Sequence, residues 1–255
     1  MPKVSIPIVS DPDAQAFLNA AVITNVTQAN AINTLVIALK GYSIWTKFKA
    51  IYPIVGGTAS QHKYNLKDPR DLDAAFRLAF ATGWTHSATG MTPLVTWADT
   101  FLNSNNVLNL NSTNFSYYSR TNVDNVCELG ALSGSAQDFL ILRSAGLSYF
   151  VVHQNAPYTT YSNLDSRGFF VANRTASNIV NGWKNGVKVA TSSNVSTGKP
   201  NLKIYLGAYN NGGVAAGYST KECAFASIGD GLTDAEAANF YTAVQAFNTT
   251  LGRQV

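Results

Sequence analysis

Few side chains in this sequence could perform acid–base chemistry. It holds three glutamates, Glu128, Glu222 and Glu236. Hydrolysis of a glycosidic bond needs two carboxyl groups that face each other across the bond, about 5–5.5 Å apart or wider. Glu236 completes a Thr-x-x-Glu capping box that begins at Thr233. The other two glutamates have no carboxylate two residues away. We therefore predict that the protein is not an enzyme, unless folding brings two glutamates together.

The histidines and cysteines show no catalytic or metal-binding pattern. His62, His86 and His153 lack the spacing by which a helix or strand groups metal ligands, and no Gly-x-Ser-x-Gly nucleophile motif occurs. Cys127 and Cys223 fall far apart in predicted strands. Because free cysteine is commonly buried, we predict two buried thiols rather than a disulfide or a zinc site.

Aromatic side chains offer a different chemistry, which is ligand binding. Phe, Trp and Tyr make up 11% of the chain. Sugar sites place aromatic rings against the apolar face of the sugar and a few polar groups at its hydroxyls. The residues of these types in predicted loops form our candidate glycan site: Trp84, His86, Trp97, Tyr158, Tyr161 and Asn163. For each aromatic residue taken singly, burial beneath a loop is the alternative.

The composition favours an extracellular or particle-borne β protein over a cytosolic enzyme. Only 13% of the 255 residues are charged, whereas soluble domains average about 25%. The net charge of +4 comes from scattered Lys and Arg residues, which argues against nucleic acid as a partner. The sequence has neither an apolar run of about 20 residues nor a signal-peptide pattern. We therefore expect a protein made in the cytoplasm without membrane insertion.

The strongest structural signal is Asn185-Gly186 between two β-prone runs, which predicts a two-residue hairpin turn. The register expected from that turn pairs Lys184 with Val187, Trp183 with Lys188, Gly182 with Val189, Asn181 with Ala190 and Val180 with Thr191. The face that carries Val180 and Gly182 is apolar and small, so we expect it to pack on a second sheet. On the other face, the Lys188 stem should lie across the Trp183 ring.

The N-terminal part of the chain predicts helices. After an extended arm, Asp11 should cap one helix and Thr27 a second, and Ile44–Ile51 should form a third, short one. We predict that residues 1–57 form an arm and helical cap, and residues 58–255 a β-sandwich domain with a C-terminal helix. The cap should cover one end or face of the sandwich. The alternative is a contact surface for other subunits or for a particle, formed by Val4, Ile6, Ile8, Trp45 and Phe48.

The rest of the chain predicts many short strands. Alternating patterns indicate strands at His62–Leu66 and Ala75–Phe80, whereas Gly83–Thr96 is rich in turn formers and predicts a long surface loop. Further short runs follow between Phe115 and Ile228. Strands of this length and spacing predict a two-sheet antiparallel sandwich.

Three stretches resemble the laminin-G-like domains of the concanavalin A-like lectin/glucanase superfamily. They are the hairpin Asn181–Val189, the strand Leu202–Gly207, and Cys223–Tyr241 with its Leu-Thr-Asp-x-Glu sequence. The resemblance implies an all-β fold: a concanavalin A-like antiparallel β-sandwich (jelly roll) with a small N-terminal helical cap and a C-terminal helix. The Glu-x-Asp-x-x-Glu motif of this superfamily's retaining glucanases is absent.

The same resemblance raises calcium as a cofactor, because many laminin-G-like and lectin domains bind this ion. Calcium takes 6–8 oxygen ligands, often from loop carboxylates. The aspartates in turn-like positions are the candidate ligands: Asp99, Asp124, Asp165 and Asp230. They form no recognisable loop motif, so a role as turn former or helix cap is the alternative for each.

Four further stretches resemble modules of structural proteins in tailed bacteriophage virions: Asp13–Leu18, Ile44–Pro53, Gly83–Ser87 and Cys223–Asp234. This resemblance implies a virion location, other phage virion proteins as partners, and a homotrimer. We expect a non-enzymatic protein on a tail or capsid surface, such as a tail fibre, that attaches to host-surface glycans. A purely structural capsid decoration or assembly protein is the alternative, and a glycan depolymerase is the third.

Overall fold

The computed structural model of the chain describes residues 5–255. Its helices are Pro12–Ala21 (α1), Val26–Gly41 (α2), Ala59–His62 (α3), Ser104–Val107 (α4) and Asp234–Thr250 (α5). Its strands are Phe48–Tyr52 (β1), Ala79–Phe80 (β2), Trp84–His86 (β3), Met91–Pro93 (β4), Ala98–Asn103 (β5), Thr113–Ser119 (β6), Leu129–Ser133 (β7), Ala136–Ser144 (β8), Leu147–Val151 (β9), Thr159–Ser162 (β10), Gly168–Ala176 (β11), Ile179–Lys184 (β12), Val187–Ser192 (β13), Lys203–Leu206 (β14), Tyr209–Asn211 (β15), Val214–Ala216 (β16) and Cys223–Gly229 (β17).

Within residues 5–255 the strands form two sheets. The first sheet has the order β13-β12-β11-β6-β17-β4-β3, with β1 also paired to β17, and the second has the order β10-β9-β8-β7-β14-β5-β2. A small β15–β16 hairpin joins the second sheet where β15 runs parallel to β7, whereas the other named pairings are antiparallel. The predicted two-sheet antiparallel sandwich is confirmed.

The molecule is layered, with one face of the sandwich covered and the other open. One apolar core lies between the two sheets, with Phe115, Leu140 and Phe150 among its members. A second core lies between the outer face of the first sheet and helices α1, α2 and α5. Helix α5 also packs on α2. The helices of the described chain therefore leave the outer face of the second sheet uncovered.

The central hairpin forms as predicted near its turn. Asn185 and Gly186 both have positive φ, +49° and +75°, and the two pairs nearest the turn match the predicted register. Lys188 Nζ lies 5.5 Å from the centre of the Trp183 ring. Beyond that point a bulge shifts the register by one residue, so that Gly182 faces Ala190. The turn determines register only as far as the first irregularity in the ladder.

The small face of this hairpin does pack on the second sheet. A Cβ atom added at Gly182 would lie 2.2 Å from a ring carbon of Phe150, which belongs to β9. Glycine is needed here because the Phe150 ring occupies the place of a side chain. Trp183, on the opposite face, joins the core beneath the helices.

The predicted third helix is wrong. Trp45–Lys47 forms one 3-10 turn, and the chain then becomes strand β1, which pairs with β17. Phe48 and Ile51 join the core beneath the helices, whereas Ala50 and Tyr52 join the core between the sheets. Apart from Lys49, this strand is apolar on both faces, and so short an apolar run does not distinguish strand from helix.

Three further predictions between residues 58 and 96 need correction. His62 ends α3 rather than starting a strand, and only Ala79–Phe80 of the predicted second strand is extended. The predicted long loop contains the β3–β4 hairpin. Buried Asn65 explains the first error, because its side chain bonds to the backbone of Lys49, Ile51 and Ala75 and so replaces a strand ladder.

Most helix ends follow their local signals. Asp11 accepts from the N–H groups of Asp13 and Ala14, and Thr233 with Glu236 forms the predicted capping box. The cap of α2 is Asn25 rather than Thr27.

Both cysteines are free and buried, as predicted. The domain boundary at residue 57 stays a prediction.

Candidate functional site

The glutamates contribute to the packing of the fold. Glu128 is buried and lies 2.8 Å from Lys221 Nζ, Glu222 pairs with Arg120 at 3.0 Å, and Glu236 pairs with Lys47 at 2.5 Å. Each carboxylate therefore has a cationic partner inside the chain.

A buried chain of polar side chains runs through the sandwich at His153. Its Nε2 lies 3.1 Å from Thr113 Oγ1, and its Nδ1 lies 2.8 Å from Asp138 Oδ1. This order resembles a hydroxyl–imidazole–carboxylate triad, but the Nδ1 contact lacks hydrogen-bond geometry, and Asp138 Oδ1 accepts instead from the His153 backbone N–H. Thr113 Oγ1 donates to the Asn109 carbonyl, and all three side chains are fully buried. The arrangement links β6 and β8 to the residues just after β9.

Three residues of the predicted glycan site do come together. Trp84 Nε1 donates to the Trp97 carbonyl at 3.1 Å, and the rings of Trp84 and His86 lie 6.4 Å apart. Trp97 stacks on Tyr205 at 4.2 Å. Trp84, His86 and Trp97 are each half-buried. Trp84 and His86 belong to β3 and Trp97 directly precedes β5, so the three residues lie near one edge of the sandwich. Their role as a glycan site stays a prediction.

His86 makes an imidazole pair with His62. The two Nδ1 atoms lie 3.0 Å apart, and His62 Nε2 accepts from the Gly57 N–H at 3.1 Å. Since Nε2 of His62 is an acceptor, its Nδ1 must carry the proton and donate to His86. The pair therefore requires both rings to be neutral. It links α3 and the preceding loop to β3.

Acidification is expected to destabilise the protein through His62. Burial, followed by His86 and Arg253, lowers the His62 pKa from 6.5 to about 3. The unfolded state therefore binds a proton on His62 below pH 6.5 that the folded state does not bind. The contribution of neutral His62 to the free energy of unfolding is complete above pH 6.5 and is lost as the pH falls below that value. Between pH 7 and pH 5 we expect a loss of about 2 kcal/mol in the free energy of unfolding.

Urea denaturation of the wild type and of His62→Gln at both pH values would measure this loss. The glutamine does not titrate, so its loss between pH 7 and pH 5 should be much smaller than that of the wild type. Carboxylates with lowered pKa values, such as Asp11 and Asp68, titrate below this window. An equal loss in both proteins would show that His62 is not responsible.

The other three predicted glycan residues lie around β10. Tyr158 is half-buried and donates to Gln137 Oε1 at 2.6 Å, and Tyr161 packs against the core between the sheets. Asn163 is 4% exposed. Its amide donates to the Leu142 carbonyl, and its Oδ1 accepts from Lys184 Nζ at 2.9 Å. The structure therefore does not bring these three residues to the tryptophans, and Asn163 forms contacts within the fold.

The four candidate calcium ligands lie apart and are paired with cations. Asp99 is 3.1 Å from Lys203, Asp124 is 3.4 Å from Arg143, Asp165 is 2.8 Å from Arg167 and Asp230 is 2.8 Å from Lys49. In the part of the chain that the structure describes, no three His, Cys, Asp or Glu side chains converge as metal ligands do. Calcium binding stays a prediction without a site among these residues.

The predicted assembly residues divide into exposed and buried ones. Val4 lies outside the described residues, Ile8 is 92% exposed and Ile6 is half-buried against the helical core. Trp45 is half-buried, with Lys67 Nζ 3.5 Å from its ring centre. Phe48 is 2% exposed and packs on Phe240, so it cannot belong to a contact surface.

The open face of the second sheet carries a groove that the sequence analysis missed, apart from Tyr158. Outward-facing apolar and aromatic side chains of β7, β8 and β9, with neighbours from adjoining segments, enclose about 240 Å³. This tyrosine groove is lined by Val126, Leu132, Phe139, Ile141, Tyr149, Val151, Tyr158 and Tyr209. Phe139 contacts Tyr209 edge to face at 5.1 Å, and Tyr149 contacts Tyr158 in the same way at 6.2 Å.

A sequence signal for the groove exists in β8 and β9. Phe139 and Ile141 alternate with Leu140 and Leu142, so both faces of β8 are apolar, and β9 repeats the pattern. In a sandwich, one face of each strand fills the core. Apolar residues on the second face therefore indicate either a covering layer or a binding surface.

The groove is uncharged but carries phenol groups. Among residues 5–255, the side chains that line it include no Asp, Glu, Lys or Arg. The hydroxyls of Tyr149 and Tyr209 make no hydrogen bond to another described residue, whereas that of Tyr158 is bonded to Gln137. The groove can therefore hold an apolar surface of a ligand, and its phenol groups can form hydrogen bonds with hydroxyls at the rim of that ligand.

No protein-family model and no curated protein matches this chain. Solved structures do match. A mutant of Trypanosoma rangeli sialidase displaying trans-sialidase activity is 10% identical, with a TM-score of 0.52 over 87% of this chain and 40% of the sialidase. The HCR/D F1240A mutant is 9% identical, with a TM-score of 0.50 over 78% of this chain and 52% of that one. Domain 4 of AbnA, an extracellular arabinanase from Geobacillus stearothermophilus, is 12% identical, with a TM-score of 0.45 over 76% of this chain and 98% of that domain.

The chain spans about half or less of the length of the sialidase and of the HCR/D mutant that it matches. At these identities the likeness shows the fold alone. No helix within residues 5–255 is both long and apolar enough to cross a membrane. The protein has the predicted all-β fold, a two-sheet antiparallel jelly-roll sandwich with helices near both ends of the chain.

Proposed function

We propose that this protein is a non-enzymatic carbohydrate-binding domain that holds its ligand in the tyrosine groove. The observation that carries the proposal is the position of the groove. Tyr149, Tyr158 and Tyr209 line the groove together with Phe139, on the face of the sandwich that the helices leave open. A sugar ring has an apolar face and a rim of hydroxyls, and aromatic rings with phenol groups complement both.

We further propose that the protein works on the surface of a phage particle, as a homotrimer beside other virion proteins. The support is the resemblance of Asp13–Leu18, Ile44–Pro53, Gly83–Ser87 and Cys223–Asp234 to virion modules, together with the low charge content. The glycan would then be one on the host surface. The alternative, a structural decoration or assembly protein, is favoured by Ile8, which is 92% exposed on the N-terminal arm.

Loss of a groove tyrosine is expected to weaken glycan binding strongly. On a broad glycan array, we expect Tyr149→Ala and Tyr158→Ala to weaken binding about tenfold or more, since each removes an aromatic ring that lines the groove. Trp45→Ala is the matched control, because it removes a half-buried aromatic ring on the helical side. Thermal unfolding should confirm that all variants fold.

Trp84→Ala and Trp97→Ala belong in the same experiment. If they weaken binding and the groove variants leave it unchanged, the ligand site is the predicted loop cluster rather than the groove. If the wild type binds no glycan at any density, the carbohydrate-binding proposal fails, and the assembly role becomes the leading one.

A further inference from the structure

We infer that the tyrosine groove selects an uncharged sugar and takes a single ring of it, with the rest of the glycan outside. This inference rests on the proposed function and specifies its ligand. It follows from three features of the groove: its charge, its size and its free hydroxyls.

The first feature is that, among residues 5–255, no side chain lining the groove carries a positive charge that could receive an acidic sugar. A carboxylate or sulfate that loses water on binding needs a charged or multiple hydrogen-bond donor in return. The lining offers only apolar side chains and phenols. Arg143 lies two residues beyond Ile141 on β8, but it faces Asp124 at 3.4 Å and donates to Asn122. Its charge is therefore already compensated.

The second feature is the volume. Pockets that bury a drug-sized ligand enclose about 300–1,000 Å³, and the groove encloses about 240 Å³. The space therefore suits one ring. Phe139 is only 6% exposed and belongs to the groove floor, where its exposed part can contact the apolar face of that ring.

The third feature is the supply of hydrogen bonds to neutral hydroxyls. A phenol both donates and accepts, as does a sugar hydroxyl. The hydroxyls of Tyr149 and Tyr209 make no hydrogen bond within residues 5–255, so both hydroxyls are available to a ligand. The Tyr158 hydroxyl donates to Gln137, which leaves it as an acceptor. Unpaired phenols next to an apolar floor favour a neutral polyol over an anion.

Matched pairs of oligosaccharides test the inference, each pair being a neutral sugar and its uronic acid or sulfated counterpart with the same linkage. We expect the wild type to bind the neutral member at least about tenfold more tightly in calorimetry. Tyr149→Phe should weaken neutral binding about fivefold, because it removes one hydrogen bond and keeps the ring. Val126→Arg places a cation at the rim and should improve binding of the acidic member about threefold.

The outcomes separate the two proposals. If the acidic member binds as tightly as the neutral one and Tyr149→Ala weakens the binding of both, the groove is a sugar site and the charge selectivity is wrong. If acidic glycans bind and the groove variants have no effect, both proposals fail. Binding of neither member, in any pair, also overturns both. Tyr209→Phe is a second hydroxyl variant if Tyr149→Phe does not fold.

Discussion

Replacement of Lys221 by methionine is expected to lower the free energy of unfolding by about 3–5 kcal/mol, because it leaves a buried carboxylate without its counter-charge. Lys221 Nζ lies 2.8 Å from Glu128 Oε1, and both side chains are fully buried. Glu128 immediately precedes β7 of the second sheet, and Lys221 lies just before β17 of the first. The pair therefore joins the two sheets. Urea denaturation at pH 7 would measure the loss.

The remaining contacts of Glu128 explain why the loss is not larger. Ser219 Oγ and the Leu142 N–H still donate to the carboxylate, at 2.8 Å and 2.6 Å. Burial raises the Glu128 pKa, and Lys221 opposes that rise. Without the ammonium the pKa of Glu128 should rise further above its unfolded value, so the folded state takes up a proton more readily than the unfolded state as the pH falls. The deficit of Lys221→Met relative to wild type should therefore shrink at pH 5.

Two controls identify the cause. Glu128→Gln combined with Lys221→Met should cost less than Lys221→Met alone, since no charge then remains buried. Arg70→Met breaks an exposed pair with Asp68 and should leave the unfolding midpoint unchanged. A midpoint for Lys221→Met that matches the Arg70→Met midpoint would contradict the prediction.

Replacement of Arg253 by methionine is expected to cost about 3–5 kcal/mol, because its fully buried guanidinium donates to four oxygens. Nε donates to Asn248 Oδ1 at 2.8 Å, Nη1 to the Ile54 carbonyl at 2.5 Å, and Nη2 to the carbonyls of Pro53 and Ala224 at 2.7 and 2.8 Å. These bonds tie the end of the chain to β17 and to the segment after β1. Methionine fills the space of the stem but leaves the carbonyls unpaired.

Arg253→Lys separates geometry from charge in this experiment. An ammonium keeps the charge but cannot reproduce the planar fork that reaches Pro53, Ile54 and Ala224 together. Its unfolding midpoint should therefore lie between those of the wild type and Arg253→Met. If Arg253→Lys equals the wild type, the charge alone is sufficient. If the unfolding midpoint of Arg253→Met equals that of the wild type, the hydrogen bonds of Arg253 contribute nothing to stability.

Neither of these buried cations was predicted to be important. Lys221 lies between Thr220 and Glu222, and Arg253 lies between Gly252 and Gln254. Both residues have mainly polar neighbours in the sequence. Their roles depend on partners about 90 to 200 residues away, such as Glu128 and Pro53. No local pattern contains such a pairing.

Local signals were sufficient where the deciding contacts lie within a few residues. The Asn185-Gly186 turn, the Asp11 cap and the Thr233 capping box form as predicted because each is completed by neighbouring backbone groups. The alternation of the later strands was sufficient for the sandwich. The pairing of β1 with β17 was not predictable in this way, because it depends on the burial of both faces of a short apolar run.

The candidate site shows the same division between local pattern and tertiary packing. The sequence revealed an aromatic, weakly charged chain and placed Tyr158 among the candidate residues. It could not tell which aromatic residues would be covered. Trp84 and Trp97 pack against neighbouring rings, whereas Tyr149 and Tyr209 line a groove. Both faces of β8 and β9 are apolar, and the tertiary structure alone decides which face stays open, because the helices pack on the opposite sheet.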